Sequence, residues 1–368
     1  MNTKIKQGLA VALAIPMLTT TALSQLKLSG YGEAGFIAGS QKGANAPGNT
    51  KSLGQEFVII AENIGKTPMG DYRVFLNIDS DEALSGRNNT PSYGNPFGAR
   101  GIELMPTKET MLYYTYEGVY GGEIARTTVP VVTERPVDLT GHSGLSELLD
   151  VTSGNHAMGL EFRPAGHRLS LAYAPNLDRD ANASSDRTAS GTGQAGAGGA
   201  FGNSASGYSF GYRGSIIPGL TLGLGYTKID QKHNTTAKDA DSKTIGVIYS
   251  KAPFAIGAQR TKNDGLKTAT LAANNKEDTV NTVTGTFAAT KEITLGLMYS
   301  TMERFSANQT NTGPKTKVQQ AVVAYNLGPV VVSLAHEKAE SRADTAATTQ
   351  TTSGLDNSLT KVKVKANF

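Results

Sequence analysis

From Leu26 to Phe368 the chain is a succession of short segments in which apolar and polar residues alternate, and no apolar run among them approaches the ~20 residues a membrane-spanning helix requires. Side chains on a β-strand point to opposite faces with a period of two. The last ten residues, Leu359 to Phe368, show the pattern most plainly: Val362, Val364, Ala366 and Phe368 fall on one face and Lys361, Lys363 and Lys365 on the other. A soluble edge strand with a charged outer face reads the same way, so this stretch alone does not separate a water-soluble sheet from one that meets lipid.

Sixteen such segments are expected, at 26–38, 52–63, 69–79, 109–117, 121–130, 155–163, 167–175, 206–217, 220–230, 242–251, 254–263, 278–288, 292–302, 316–327, 329–341 and 357–368. The connections between them alternate strictly between short and long. Short ones fall near Gly65, Gly118, Ala165, Pro218, Pro253, Thr290 and Gly328; long ones occupy 39–51, 80–108, 131–154, 176–205, 231–241, 264–277, 303–315 and 342–356. A transmembrane barrel sorts its loops this way and, in bacterial single chains, has an even number of strands; a soluble sandwich has no reason to. The expected fold is therefore all-β, a 16-stranded antiparallel transmembrane barrel with short periplasmic turns and long external loops. Residues 99–105 also alternate, and even parity assigns them to the second long loop. One domain, 25–368, is expected, since no linker divides the chain.

Residues 1–24 read as a signal peptide: Lys4 and Lys6 precede an apolar run from Leu9 to Leu18, and Ala22 and Ser24 are placed for cleavage before Gln25. The chain has 35 Lys and Arg against 31 Asp and Glu, and the leader holds two of the lysines and no acid, so the remainder is nearly neutral and points to no nucleic-acid partner. With no cysteine, neither disulfides nor thiolate chemistry is available. A mean hydropathy of −0.27 suits strands that interleave lipid-facing and water-facing residues, and 42 glycines suit a β-rich chain with many turns.

Motifs that would carry other chemistry lack their context. Gly191, Gly193 and Gly196 spell a dinucleotide fingerprint, but follow no buried parallel strand and open no helix. Gly141-His142-Ser143-Gly144 lacks the closing glycine of a nucleophile elbow, since Leu145 stands there. Asp178, Asp180, Asn182 and Asp186 offer the oxygens of a calcium loop without its turn glycine or closing glutamate, which leaves at most a loose divalent ion. None of the five histidines is spaced as a metal ligand. No cofactor, metal or catalytic residue is expected.

Several short motifs, in order, resemble the trimeric general diffusion porins of the Neisseria, Comamonas and Burkholderia type. Gly30-Tyr31-Gly32 lies in the first strand; Glu62-Asn63-Ile64-Gly65 matches that family's E-D-L-G turn; Arg73 to Asp79 follows its basic-x-x-apolar-Gln/Asn-apolar-acid strand; Gly122 to Pro130 looks like its G-x-x-x-x-G-R-x-x-x-P entry to the third loop, one residue shorter. The apolar ending on Phe368 resembles the C-terminal signature of outer-membrane barrels. Ala125 and Ile59-Ile60 depart from the family pattern. Arg126 alternates with Ile124 yet should face the lumen by resemblance, a conflict that a bulge would resolve.

The resemblance implies a water-filled channel in the Gram-negative outer membrane, passing ions and small hydrophilic solutes, in a homotrimer surrounded by outer-membrane lipid and lipopolysaccharide and inserted by the barrel-assembly machinery with Phe368 as its signal. It implies a third loop, 131–154, folded into the barrel so that Glu134, Arg135, Asp138, Glu147 and Asp150 face Arg73 and Arg126 on the wall, with Lys361, Lys363 and Lys365 adding positive potential. A solute-specific channel, a plugged barrel with a structural or adhesive role and a barrel-embedded hydrolase are the alternatives. Missing tryptophan and scattered arginines speak against the first, conductance separates the second, and no convincing Ser/His pair supports the third.

Overall fold

The computed structural model describes residues 25–42, 49–80, 97–116, 118–125, 151–152, 155–175, 206–230, 239–268, 271–305, 312–342 and 356–368. Sixteen antiparallel strands form one closed barrel in which each pairs with its neighbours in sequence and the last pairs with the first. They are β1 (Gln25–Lys42), β2 (Asn49–Thr67), β3 (Gly70–Ser80), β4 (Phe97–Met105), β5 (Thr110–Tyr116), β6 (His156–Phe162), β7 (His167–Ala174) and β8 (Ser206–Ile217), followed by β9 (Leu220–Asp230), β10 (Ala240–Lys251), β11 (Phe254–Thr268), β12 (Leu271–Ala288), β13 (Ile293–Phe305), β14 (Thr312–Asn326), β15 (Val330–Arg342) and β16 (Asp356–Asn367). Closure leaves no sheet edge, which is what lets strands stand in hydrocarbon with every backbone group paired.

The alternation read from the sequence becomes an inside-out distribution of polarity. Leu26, Leu28, Phe36, Leu171, Ile245, Leu297, Val362 and Val364 point outward and are exposed, while Glu33, Glu62, Glu161, Ser209, Thr282, Lys361 and Lys363 are buried on the inward side. An apolar exterior around a polar interior is the arrangement lipid demands. The C-terminal residue joins the ladder: Phe368 and Gly30 exchange two backbone hydrogen bonds of 3.0 Å. The Phe368 ring lies over Gly30, where a Cβ would collide with it, as Phe57 lies over Gly32. Tyr72 covers Gly65 and donates its hydroxyl to Asn63 Oδ1 at 3.1 Å. The glycines of both short motifs are thus seats for aromatic rings.

The count of sixteen holds, but two of its members change. Residues 99–105, assigned to a loop, belong to β4, and 121–130, expected as a strand, does not form one: Gly121–Ala125 is a 3-10 turn, and 126–130 lie outside the described residues. The short connection is therefore not at Gly118 but at 106–109, where Thr107 Oγ1 accepts from the amides of Glu109 and Thr110 at 3.2 and 3.0 Å. The long loop expected at 264–277 is mostly strand as well, since β11 runs to Thr268 and β12 resumes at Leu271. A strand continues past its amphipathic stretch because ladder bonds hold it above the membrane, where side-chain polarity no longer sets a limit.

Wall height varies strongly. β5, β6 and β7 have only 7, 7 and 8 residues, while β12 has 18. Where the wall is low, the chain after β5 turns inward.

Candidate functional site: the barrel interior

Room for that inward turn is built into the facing wall. Most inward positions of β7 to β10 near it are small: Ser170, Ala172 and Ala174, then Gly207, Ser209 and Gly211, then Gly223, Gly225 and Thr227, then Ala240, Ser242 and Thr244, all buried, although Ile229 is inward and buried as well. All five residues of the turn are buried. Gly121 opens it at φ 59°, a conformation that glycine adopts without strain. The Gly121 amide donates to Ser170 Oγ at 2.8 Å and the Gly122 amide to Ser209 Oγ at 3.1 Å. A Cβ on Gly211 would collide with the carbonyl oxygen of Gly121, so the backbones touch there.

The end of the same connection returns to the same place. Thr152 Oγ1 donates to the Gly118 carbonyl at 2.5 Å, and Val151 and Thr152 are fully buried. Met111, Tyr113, Tyr120, Val151, Ala157, Ala172, Ala174, Ile229 and Ala240 form an apolar cluster between segment and wall. Entry and exit of the connection after β5 are thus pinned together inside the barrel, as the resemblance implies for a third loop.

Among the described residues, three clusters of paired charges stand out on the interior. In the first, Lys27 bonds Glu62 at 3.2 Å, and Arg73 bridges Glu62 at 2.5 Å and Glu103 at 3.0 Å. Arg73 also lies 4.4 Å from the centre of the Phe75 ring, and Tyr120, at the start of the inward segment, donates a short hydrogen bond to Glu103. Burial first, then the Glu103 charge, pushes the Tyr120 phenol upward, so it remains a donor. Tyr120 stacks on Tyr113 at 4.0 Å, and Tyr113 donates to the Leu171 carbonyl at 2.6 Å. The network runs from β1 across β4 into the segment that crosses the interior.

The second group is on β16 and β1. Lys363 and Lys365 approach Glu33 at 3.1 and 3.8 Å, Lys365 lies 3.4 Å from the Tyr31 ring centre, and Lys361 is buried two residues further along. In the third, Arg163 and Arg168 share one oxygen of the fully buried Glu161, Arg168 at 2.7 Å, and Arg168 also donates to the Val119 carbonyl at 3.0 Å. Arg213 stands opposite Arg168 in the β7–β8 register.

Arg73, Lys361, Lys363 and Lys365 therefore stand on the inward face. Arg126 and the loop residues Glu134, Arg135, Asp138, Glu147 and Asp150 lie outside the described residues, as do 1–24, the Gly141 and Gly191 motifs and the Asp178 cluster. With Ile124 in a 3-10 turn, the alternation that set Arg126 against its resemblance no longer applies. Sequence reasoning missed the acids. Glu33, Glu62 and Glu161 stand at inward positions of expected strands, whereas Glu103 stands on β4, which the sequence assigns to a loop.

A family model for Gram-negative porins matches residues 9–332. The chain belongs to the Gram-negative porin family. No curated protein is significantly similar in sequence. Among solved structures, an anion-selective porin from Comamonas acidovorans superimposes with a TM-score of 0.60 at 12% identity, over 94% of this chain and 100% of that one. A triple mutant of the Rhodopseudomonas blastica porin gives 0.55 at 13%, over 94% and 100%, and the outer-membrane-expressed OmpT of Vibrio cholerae 0.56 at 9%, over 95% and 99%. These likenesses share the fold. This porin is thus an outer-membrane barrel that forms a channel for diffusion of small solutes.

Proposed function

We propose that the narrowest passage of this porin lies between the inward segment and the wall that carries Arg73, and that width and fixed charge, with no covalent step, decide what passes. The observation that carries this reading is the pinning of the segment to Ser170, Ser209 and Glu103, which fixes its start across the interior. In this reading Glu134, Arg135, Asp138, Glu147 and Asp150 stand on the loop opposite Arg73, Arg126, Lys361, Lys363 and Lys365. Opposed charges give a transverse field that orients small polar solutes and water, whereas an apolar solute must displace ordered water without replacing its bonds.

Planar-bilayer recording tests this. Steps of conductance are expected, and their absence overturns the channel. Replacing Lys361 and Lys365 by Gln, while leaving the buried Lys363–Glu33 pair intact, should move the zero-current potential in a salt gradient toward cations. Two charges acting across about 8 Å of water contribute about 0.5 kcal/mol each before screening, so after screening the permeability ratio should change roughly 3-fold. An unchanged potential excludes these lysines from the conduction path.

We also read residues 1–24 as a leader removed on export, the working unit as a homotrimer in outer-membrane lipid, and Phe368 as the signal read by the barrel-assembly machinery. The exposure of Phe368 at the chain's end, 67%, supports the last. Deleting Phe368 removes both bonds to Gly30 and the ring above it, so outer-membrane levels by immunoblot should fall severalfold. Normal levels contradict that role.

A further inference from the structure

We infer that Arg163, Arg168 and Arg213, on the inner wall of β6–β8 beside the short connections of those strands, form a binding site for a tetrahedral dianion such as hydrogen phosphate. The site stands apart from the passage proposed between the inward segment and Arg73, and it rests on the reading of the barrel interior as a solute path.

Its anchor is Glu161, which faces inward on β6 and is fully buried. One carboxylate oxygen, Oε1, accepts from Nε of both Arg163 and Arg168, the latter at 2.7 Å. The other, Oε2, is buried with no hydrogen-bond partner, so the arginines alone hold this carboxylate. Both guanidinium groups are engaged through Nε, which leaves their Nη atoms for other partners. Two of these are occupied: Arg163 Nη2 lies 3.7 Å from Met111 Sδ, a weak acceptor, and Arg168 Nη2 donates to the Val119 carbonyl at 3.0 Å. Among the described residues, Nη1 of neither arginine has a hydrogen-bond partner. The two side chains are 45% and 33% exposed, so a solute in the lumen reaches them.

Arg213 adds a third guanidinium. It is directly opposite Arg168 in the β7–β8 register, on the inward face that also carries Ser209 and Gly211. Like charges facing each other across a ladder repel, and an anion between them turns that repulsion into attraction. On its other side Arg213 is opposite Gly223 of β9, which has no side chain to cover it. No described inward residue of β9 or β10 is charged. Glu109, exposed in the turn before β5, meets Arg163 through its carbonyl, which accepts the Arg163 amide at 2.7 Å. Through Val119, Arg168 also ties the site to the start of the inward segment.

Charge and shape select the ligand. Three arginines less one glutamate leave two positive charges, the charge of one dianion. Forked donors from neighbouring strands suit a tetrahedral oxyanion, whose oxygens point in more directions than the two of a planar carboxylate. Hydrogen phosphate and sulfate share that chemistry; chloride and a dicarboxylate do not.

The test uses the whole barrel in detergent, with inorganic phosphate at a pH where it is dianionic, and reads binding from the broadening of the phosphorus NMR line. Saturable broadening is expected, with sulfate displacing phosphate and succinate displacing it about 10-fold less well. R163Q/R213Q, which leaves Arg168 on Glu161 and Val119, should weaken binding by about 10-fold or more, since charge-assisted bonds are lost. K365Q, which removes an inward cation on β16, should bind phosphate as the native barrel does. Broadening that never saturates, sulfate that fails to displace, succinate as effective as sulfate, or an equal loss in K365Q overturns the site, and the first three outcomes need no variant. Conductance in chloride is recorded on the same preparations. A conducting barrel without saturable binding overturns the site alone, whereas a barrel that binds phosphate without conducting overturns the channel reading alone.

Discussion

Replacing Arg73 by Met should destabilise the barrel by about 3 kcal/mol, because breaking an ion network from one side leaves uncompensated charge behind. Glu62 and Glu103 are 8% and 7% exposed, and Arg73 is the cation that bridges them. Without it Glu62 keeps Lys27, and Glu103 keeps the Tyr120 hydroxyl. R73K should fall between, since an ammonium keeps the charge but cannot bridge both carboxylates with the same fork. Urea unfolding in phospholipid vesicles reads the loss. Adding Glu103→Gln to R73M should recover part of it, and a double variant no more stable than R73M would show that the two residues are not coupled.

Gly211→Val should act through the inward segment. Any Cβ at 211 meets the Gly121 carbonyl, a backbone atom with nowhere to go but away from the wall. Overpacking of this kind costs roughly 1–3 kcal/mol, and the Gly121 and Gly122 amides would lose Ser170 and Ser209, at about 1–3 kcal/mol for each buried donor left unpaired. A loss of about 3 kcal/mol is expected, together with a larger and noisier single-channel current, because the start of the segment no longer holds a fixed place. Gly285→Ala is the control, since its Cβ would find only the Ala255 carbonyl at 3.9 Å. Unchanged current and unchanged unfolding in G211V would mean that the turn is not held by this wall.

The comparison of β4 with the segment after β5 shows what could be read in advance. Phe97–Met105 alternates as a strand should, but 121–130 alternates too, and an even strand number admits only one of them. A finer signal was present: Thr107-Lys108-Glu109 repeats in Thr290-Lys291-Glu292, and each threonine accepts from the amides two and three residues on. The same tripeptide closes the same kind of turn. Recognising it would have placed the turn at 106–109 and freed Gly121–Ala125 from the wall.

The sequence by itself determined the barrel, because a period of two is a local property. Each strand states which of its faces meets lipid, and sorted connections state on which rim each loop lies. It also determined that Arg73 and the lysines of β16 face inward, for the same reason. Only the tertiary structure decided their partners. Glu62, Arg73, Glu103 and Tyr120 come from four separate places in the chain, and Glu33 lies 330 residues from Lys363. Register across strands and closure of β16 on β1 bring them together. The inward turn depends likewise on small residues spread over β7 to β10, which make room only when four strands stand side by side.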